Sequence, residues 1–222
     1  MSALLRFGGY TLLLLLIIGL PVLAELNSPG STRLLIDTHL APTLGTSEYS
    51  LVEWQQVFIL MVIIGFALLS TRWGVYGPVL GVLLASMGVV ALVRELDFFL
   101  DAYLLDHSWQ VIVAMIVVVV SVYVWRMRAD LQKTLDRMQP SIGLSLILVA
   151  WLFLTGFVGV IGHEPFWEHL LGDAYVRIVK IAVEELSELA GYWLWLVGQI
   201  EVLVQSRYLK HFQTSGDRRR RS

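Results

Sequence analysis

The chain has 222 residues, of which 57% are hydrophobic and 15% charged, with a mean hydropathy of +0.72 and a formal charge of -2. An apolar share above the roughly 45–50% of soluble domains excludes an ordinary soluble fold and makes the lipid bilayer the expected partner, while the near-neutral charge gives no reason to expect nucleic acid. There is no cysteine, which excludes disulfides, a thiolate nucleophile, iron–sulfur clusters and cysteine zinc sites.

Apolar runs occur at roughly 8 to 24, 55 to 71, 75 to 93, 109 to 126, 141 to 161 and 181 to 204. Each is long enough for a helix across the ~30 Å hydrocarbon layer. They predict an all-α polytopic bundle of six transmembrane helices in a single membrane domain, 1 to 222. The first run, within residues 1 to 24, has Arg6, a leucine-rich core and the ending "VLA" before Glu25. That pattern also fits a secretory signal peptide. A retained first span is the expectation, and cleavage would leave five. Both versions make residues 25 to 54 an external loop, opened by "LNSPGSTR".

Arg6, Arg72, the cluster Arg126, Arg128, Lys133 and Arg137, and the tail residues Arg207, Lys210 and Arg218 to Arg221 all fall on one side of a six-span arrangement. Only Arg33, Arg94, Arg177 and Lys180 fall on the other. The excess of basic residues marks the cytoplasmic side. Both termini are therefore expected in the cytoplasm, with 210 to 222 a basic tail, in the cell membrane, which is the cytoplasmic or inner membrane if the source is bacterial. The segment "RMRADLQKTLDRMQP" reads as a short basic helix or turn joining spans four and five, calling for no functional role of its own. Gly77 and Gly81 in the third span, like Gly156, Gly159 and Gly162 in the fifth, are expected to permit close helix packing.

The stretch "VRELDFFLDAYLLDHSW", 93 to 109, begins where the third span should leave the lipid. Continued as a helix, it places Leu96, Phe99, Leu100 and Tyr103 on one stripe and Arg94, Asp97 and Asp101 on another, the spacing of an amphipathic element. Arg94 and Asp97 can pair within it. In "GHEPFWEHLLGDAYVRIVK", Glu164 and Pro165 can start a second short outer-face helix with Phe166, Trp167, Leu170, Leu171 and Ala174 as its apolar face. His169 follows His163 by six residues, so the four-residue spacing of a zincin is absent.

The last span, "IAVEELSELAGYWLWLVGQIEVLV", carries Glu184, Glu185, Glu188 and Glu201. Ionised groups inside a membrane are costly unless paired or reached by water, and mark functional candidates. The first three should lie in the outer part of the helix, with Arg94, His107, His163 or His169 as natural partners. Glu201 belongs near the inner face, close to Arg207 or Lys210.

These residues support three expectations. The first is an outward-facing acidic and histidine site between helices, with Glu184, Glu188, Glu95 and Asp97 as catalytic carboxylates. Arg94, Glu185 and Asp101 would bind substrate or form ion pairs, and His107, His163 and His169 would ligate a metal. A divalent metal ion there could make a hydrolase or transferase acting on a lipid-type substrate. The second is a cation or proton transporter using the same acids. The third is a non-enzymatic membrane subunit or assembly factor whose charges are structural and meet a membrane protein partner. In placing His and Asp at helix ends the chain is similar to zinc-dependent seven-helix membrane hydrolases, but it lacks the paired histidines of their last span. Polyprenyl phosphate phosphatases also use glutamates near a helix end, yet their arginine- and serine-rich phosphate loop is absent here.

Overall fold

Local signals cut the apolar runs into helices. Ser50 starts the second: its Oγ accepts the Glu53 backbone N–H at 3.2 Å, one half of the capping box that the spacing Ser50-x-x-Glu53 suits. His107, held at φ 64, turns the chain between two others in a left-handed conformation that few side chains tolerate. Gly172, at φ 53, ends a third.

The computed structural model describes residues 3–27, 50–72, 78–104, 107–138 and 141–221. Residues 28–49, with most of the loop expected over 25 to 54, lie outside the described residues, as do Gly77, Asp106, Pro140 and the side chains of the basic tail. The described residues are helical, with no strand among them. In chain order the helices are α1 (Ala3–Asn27), α2 (Leu51–Arg72), α3 (Pro78–Glu95), α4 (Asp97–Tyr103), α5 (Ser108–Arg126), α6 (Arg128–Met138), α7 (Ile142–Leu152), α8 (Glu164–Leu171) and α9 (Arg177–Arg221). α7 runs on through a π-helical turn, Phe153–Val158, and a last helical turn, Gly159–Ile161.

Among the described residues, five helices are long and apolar enough to cross a membrane: α1, α2, α3, α5 and the run Ile142–Ile161. The sixth expected span falls inside α9 and is not among the five. Its acids, together with Gln199, dilute its hydropathy. α9 is instead buried along its middle, from Glu188 and Leu189 through Tyr192, Trp195 and Gln199 to Val202 and Ser206. The contrast with α1 and α5, whose spanning windows contain no buried residue, has a simple reason. A helix enclosed by protein can carry polar side chains, whereas one facing lipid must be apolar all round.

The chain divides into two compact units. The first comprises Met1–Gln56 and Leu152–Trp193. In it Gln55 Nε2 donates to the Ile17 carbonyl of α1 at 3.5 Å. α9 lies close against the π-helical turn: a Cβ on Gly191 would come within 2.5 Å of Leu154 Cδ2 and 3.3 Å of Phe153 Cδ1. The expected short helix forms as α8, tied down by Trp167 Nε1, which donates to the Ile161 carbonyl at 2.5 Å. Phe166, Leu170 and Leu171 on α8 stay exposed.

The second unit comprises Val57–Trp151 and Leu194–Ser222. α2 and α3 cross closely at Gly81, packed on Thr71 and the Ala67 carbonyl, and at Gly88, packed on Ile64. α3 packs on α5 and on α6, and α4 on α5. α7 and α9 run antiparallel, with Ser141 Oγ donating to Gln205 Oε1 at 2.6 Å, Gly143 against Gly198, and the Trp151 and Trp195 rings edge to face at 5.3 Å. Of the glycines expected to permit packing, Gly81 and Gly162 do so, while Gly156 and Gly159 have no neighbour within 4 Å of a built Cβ.

Candidate functional site

The first turns of α9 gather three carboxylates in the first unit. Lys180 and Glu184 are four residues apart, one above the other on the helix, and Lys180 Nζ donates to Glu184 Oε2 at 2.5 Å. Both side chains are largely withdrawn from solvent, at 17% and 26% exposure. On a second face of α9, Gln56 at the head of α2 donates its Nε2 to the backbone carbonyl and to the Oε2 of Glu185, each at 3.0 Å. Gln56 is fully buried, and its Oε1 has no hydrogen-bond partner. Glu188, one turn beyond Glu184, is 6% exposed.

The end of the α7 run closes over this group. At Gly162 a Cβ would lie 2.5 Å from Glu184 Oε1 and 3.1 Å from the Val158 carbonyl. The atom met first is the tip of a flexible side chain, which can yield, and the φ of -69 is open to any residue, so glycine is favoured there rather than required. α9 therefore carries two engaged carboxylates on separate faces, Glu184 with Lys180 and Glu185 with Gln56, and a third, Glu188, buried one turn beyond Glu184. A carboxylate in a poorly hydrated place is a competent general acid or base.

Of the other expected site residues, Arg94, Glu95, Asp97, Asp101 and His107 belong to the second unit, and His163 and His169 are exposed positions of the first. Arg94 pairs with Glu95, Nη2 to Oε1 at 2.8 Å. Neighbours in sequence do not normally face each other on a helix. The pairing becomes possible because α3 ends at Glu95 and the chain turns at Leu96 before α4. Asp97 opens α4, and one turn on, Asp101 has its Oδ1 buried without a hydrogen-bond partner. His107, His163 and His169 are all exposed. Among the described residues no three of His, Asp and Glu come close enough to hold a metal ion.

Tyr175, just ahead of α9, donates its hydroxyl to Glu164 Oε1 at 3.0 Å. Partial burial, then the hydrogen bond to Glu164 and the charges of Glu164 and Glu168, push its phenol above the ordinary range, with Arg177 pulling the other way.

Lys180 and Gln56 are the site residues that sequence reasoning missed. Lys180 was legible, since it precedes Glu184 by one helical turn. Gln56 was not, because nothing in "EWQQVF" says which of its two glutamines faces protein. Comparison with protein-family models, with curated proteins and with solved structures finds no match to this chain.

Proposed function

We propose that the chain is a multi-pass integral membrane protein of six spans with both termini in the cytoplasm, and that Glu184, Glu185 and Glu188, on its outer side, take part in moving protons or a monovalent cation. α9 supplies the sixth crossing. Support for that comes from the length of α9 and the burial of its middle, from Leu189 to Val202, which lets a crossing helix carry Gln199 and Glu201 away from lipid. The distribution of Lys and Arg then puts the acidic end of α9 outside.

The observation that carries the functional reading is the burial of Glu188 beside Glu184 and Glu185, whose carboxylates engage Lys180 and Gln56. Acids inside a membrane helix are costly unless paired or reached by water and mark functional candidates, and α9 carries three within about one turn. The metal-dependent hydrolase or transferase draws less support, because its histidines are exposed and no donor set gathers among the described residues.

The test is reconstitution into sealed liposomes holding a pH- or cation-sensitive dye. The protein should pass protons or a monovalent cation, and Glu188→Gln should stop it without unfolding the chain. Flux no greater than in empty liposomes, for protons and several cations alike, would overturn the reading. A stoichiometric divalent metal in the purified protein, lost on Glu188→Ala or His107→Ala, would put the hydrolase in its place.

A further inference from the structure

We infer that the corner between α6 and α7 is a binding site for an anionic phospholipid, its acyl chain lying along α7 and its phosphate held by the basic face of α6. The inference rests on the chain being embedded in a membrane, but not on the acidic site of α9.

α6 is the most polar helix among those bridging the candidate spans, and its sides differ sharply. Thr134 and Met138 are buried and Leu131 and Leu135 half-buried, while Arg128, Lys133 and Arg137 are exposed, as is Arg126 just before it. This is the division of a helix lying in the interface plane with its apolar side down. Arg128 lies over the Trp125 ring, 4.7 Å from its centroid, a contact that fixes the start of α6 at the level where indole rings settle.

Where α6 ends, a groove of about 820 Å³ opens between it and α7. Leu135, Met138, Ser141, Ile142, Ser145 and Val149 are among the residues lining it. Its two hydroxyl groups are already committed: Ser141 Oγ donates to Gln205 and Ser145 Oγ to the Ser141 carbonyl. The groove thus offers hydrocarbon rather than free donors. From Ile142 to Val149 it follows α7 for about 10 Å, roughly two-thirds of one leaflet of a ~30 Å core. That shape and lining fit an acyl chain.

Charge selects the headgroup. Arg126, Arg128, Lys133 and Arg137 outnumber Asp130 and Asp136, and Asp130 is already beside Lys133, at 3.7 Å. Arg137 directly precedes Met138 in the groove wall. A net negative phosphate is attracted to this rim, whereas a zwitterionic headgroup brings its own cation and gains little.

The experiment uses full-length protein in detergent, incubated with phosphatidylglycerol or with phosphatidylcholine and read by native mass spectrometry. Phosphatidylglycerol should be retained in preference. Lys133→Gln and Arg137→Gln should each lower that preference about fivefold, and Val149→Trp, which fills the groove, should remove the bound lipid. Equal retention of both lipids, an unchanged preference in the two charge variants, or full retention in a folded Val149→Trp protein would each overturn the inference. Should Val149→Trp not fold, the two surface charge variants decide alone. Extraction of the wild-type protein from membranes by alkaline carbonate would instead overturn the membrane reading itself, which separates the two failures.

Discussion

Gly143 and Gly198 bring the backbones of α7 and α9 into close approach. A Cβ on Gly143 would stand 2.8 Å from the Gly198 carbonyl oxygen and 2.6 Å from the Val202 nitrogen. A Cβ on Gly198 would stand 2.9 Å from the Gly143 carbonyl oxygen and 3.0 Å from the Ile147 nitrogen. The obstruction is reciprocal, and alongside the side-chain atoms Val202 Cγ2 and Ile147 Cγ1 it includes main chain on both sides, so turning a side chain cannot relieve it. Small residues at such a crossing let the two backbones approach.

Gly143→Ala and Gly198→Ala should therefore each destabilise the protein by about 1–3 kcal/mol, despite the ~1 kcal/mol that alanine gains over glycine in a helix. Gly65→Ala and Gly159→Ala, where a Cβ meets nothing within 4 Å, should be neutral or stabilising. Thermal unfolding in one detergent compares the four variants. Equal effects at all four would mean that the crossing is not held by its glycines.

That contrast also marks what the sequence could tell. All six apolar runs appear as helices near their expected places, five of them apolar enough to cross a membrane among the described residues, because length and hydropathy are properties of a segment by itself. The short helices α4 and α8 were legible from amphipathic spacing for the same reason. Packing belongs to pairs of segments. Gly156 and Gly159 looked like packing glycines yet face open space, whereas Gly143 and Gly198 drew no attention because neither sequence names its partner. The site divides in the same way: the three acids of α9 and the cation one turn before them are local, and Gln56 is 129 positions from the glutamate it binds.

Lys180 and Glu184 form a partly buried i, i+4 pair, with the lysine N-terminal, the weaker order for an exposed helix. Its value depends on the cover given by Gly162. A double-mutant cycle with Lys180→Met and Glu184→Gln should give a coupling near the upper end of the ~0–1 kcal/mol range of exposed pairs. Gly162→Ala pushes into the Glu184 carboxylate and should reduce that coupling with only a small loss of stability, since a flexible side chain can yield. An unchanged coupling in the Gly162→Ala background would show that the glycine does not set the carboxylate's position.

Gln56 and Gln199 are both fully buried, and they should respond in opposite senses to replacement by leucine. Gln56 donates twice to Glu185, so Gln56→Leu should cost about 1–3 kcal/mol, including the price of leaving an acid less well solvated. Neither polar atom of the Gln199 side chain has a partner, and the Trp195 indole N–H one turn away lacks one as well. Unpaired polar groups in a buried place are themselves destabilising. Gln199→Leu should leave stability unchanged or raise it, as measured by denaturant or thermal midpoints. A large loss would show that Gln199 is satisfied by bound water.

Tyr175 gives the pH dependence a sign. Its phenol lies above the ordinary value, so the folded protein holds that proton more tightly than the unfolded chain does. The associated stability is fully present below the unfolded pKa, which includes neutral pH, and is lost only as the pH rises through the folded value. Tyrosinate absorbance should therefore contain one late-titrating component that Tyr175→Phe deletes. Glu164→Gln removes a charge and weakens the hydrogen bond, and should bring that component part of the way back. Glu168→Gln removes charge alone and should move it less, while Arg177→Gln removes the one opposing charge and should move it further up. The order of the Glu164 and Glu168 shifts is the decisive reading: if the two are equal, the direct hydrogen bond at 3.0 Å contributes nothing, and the phenol responds only to the general acidity of α8.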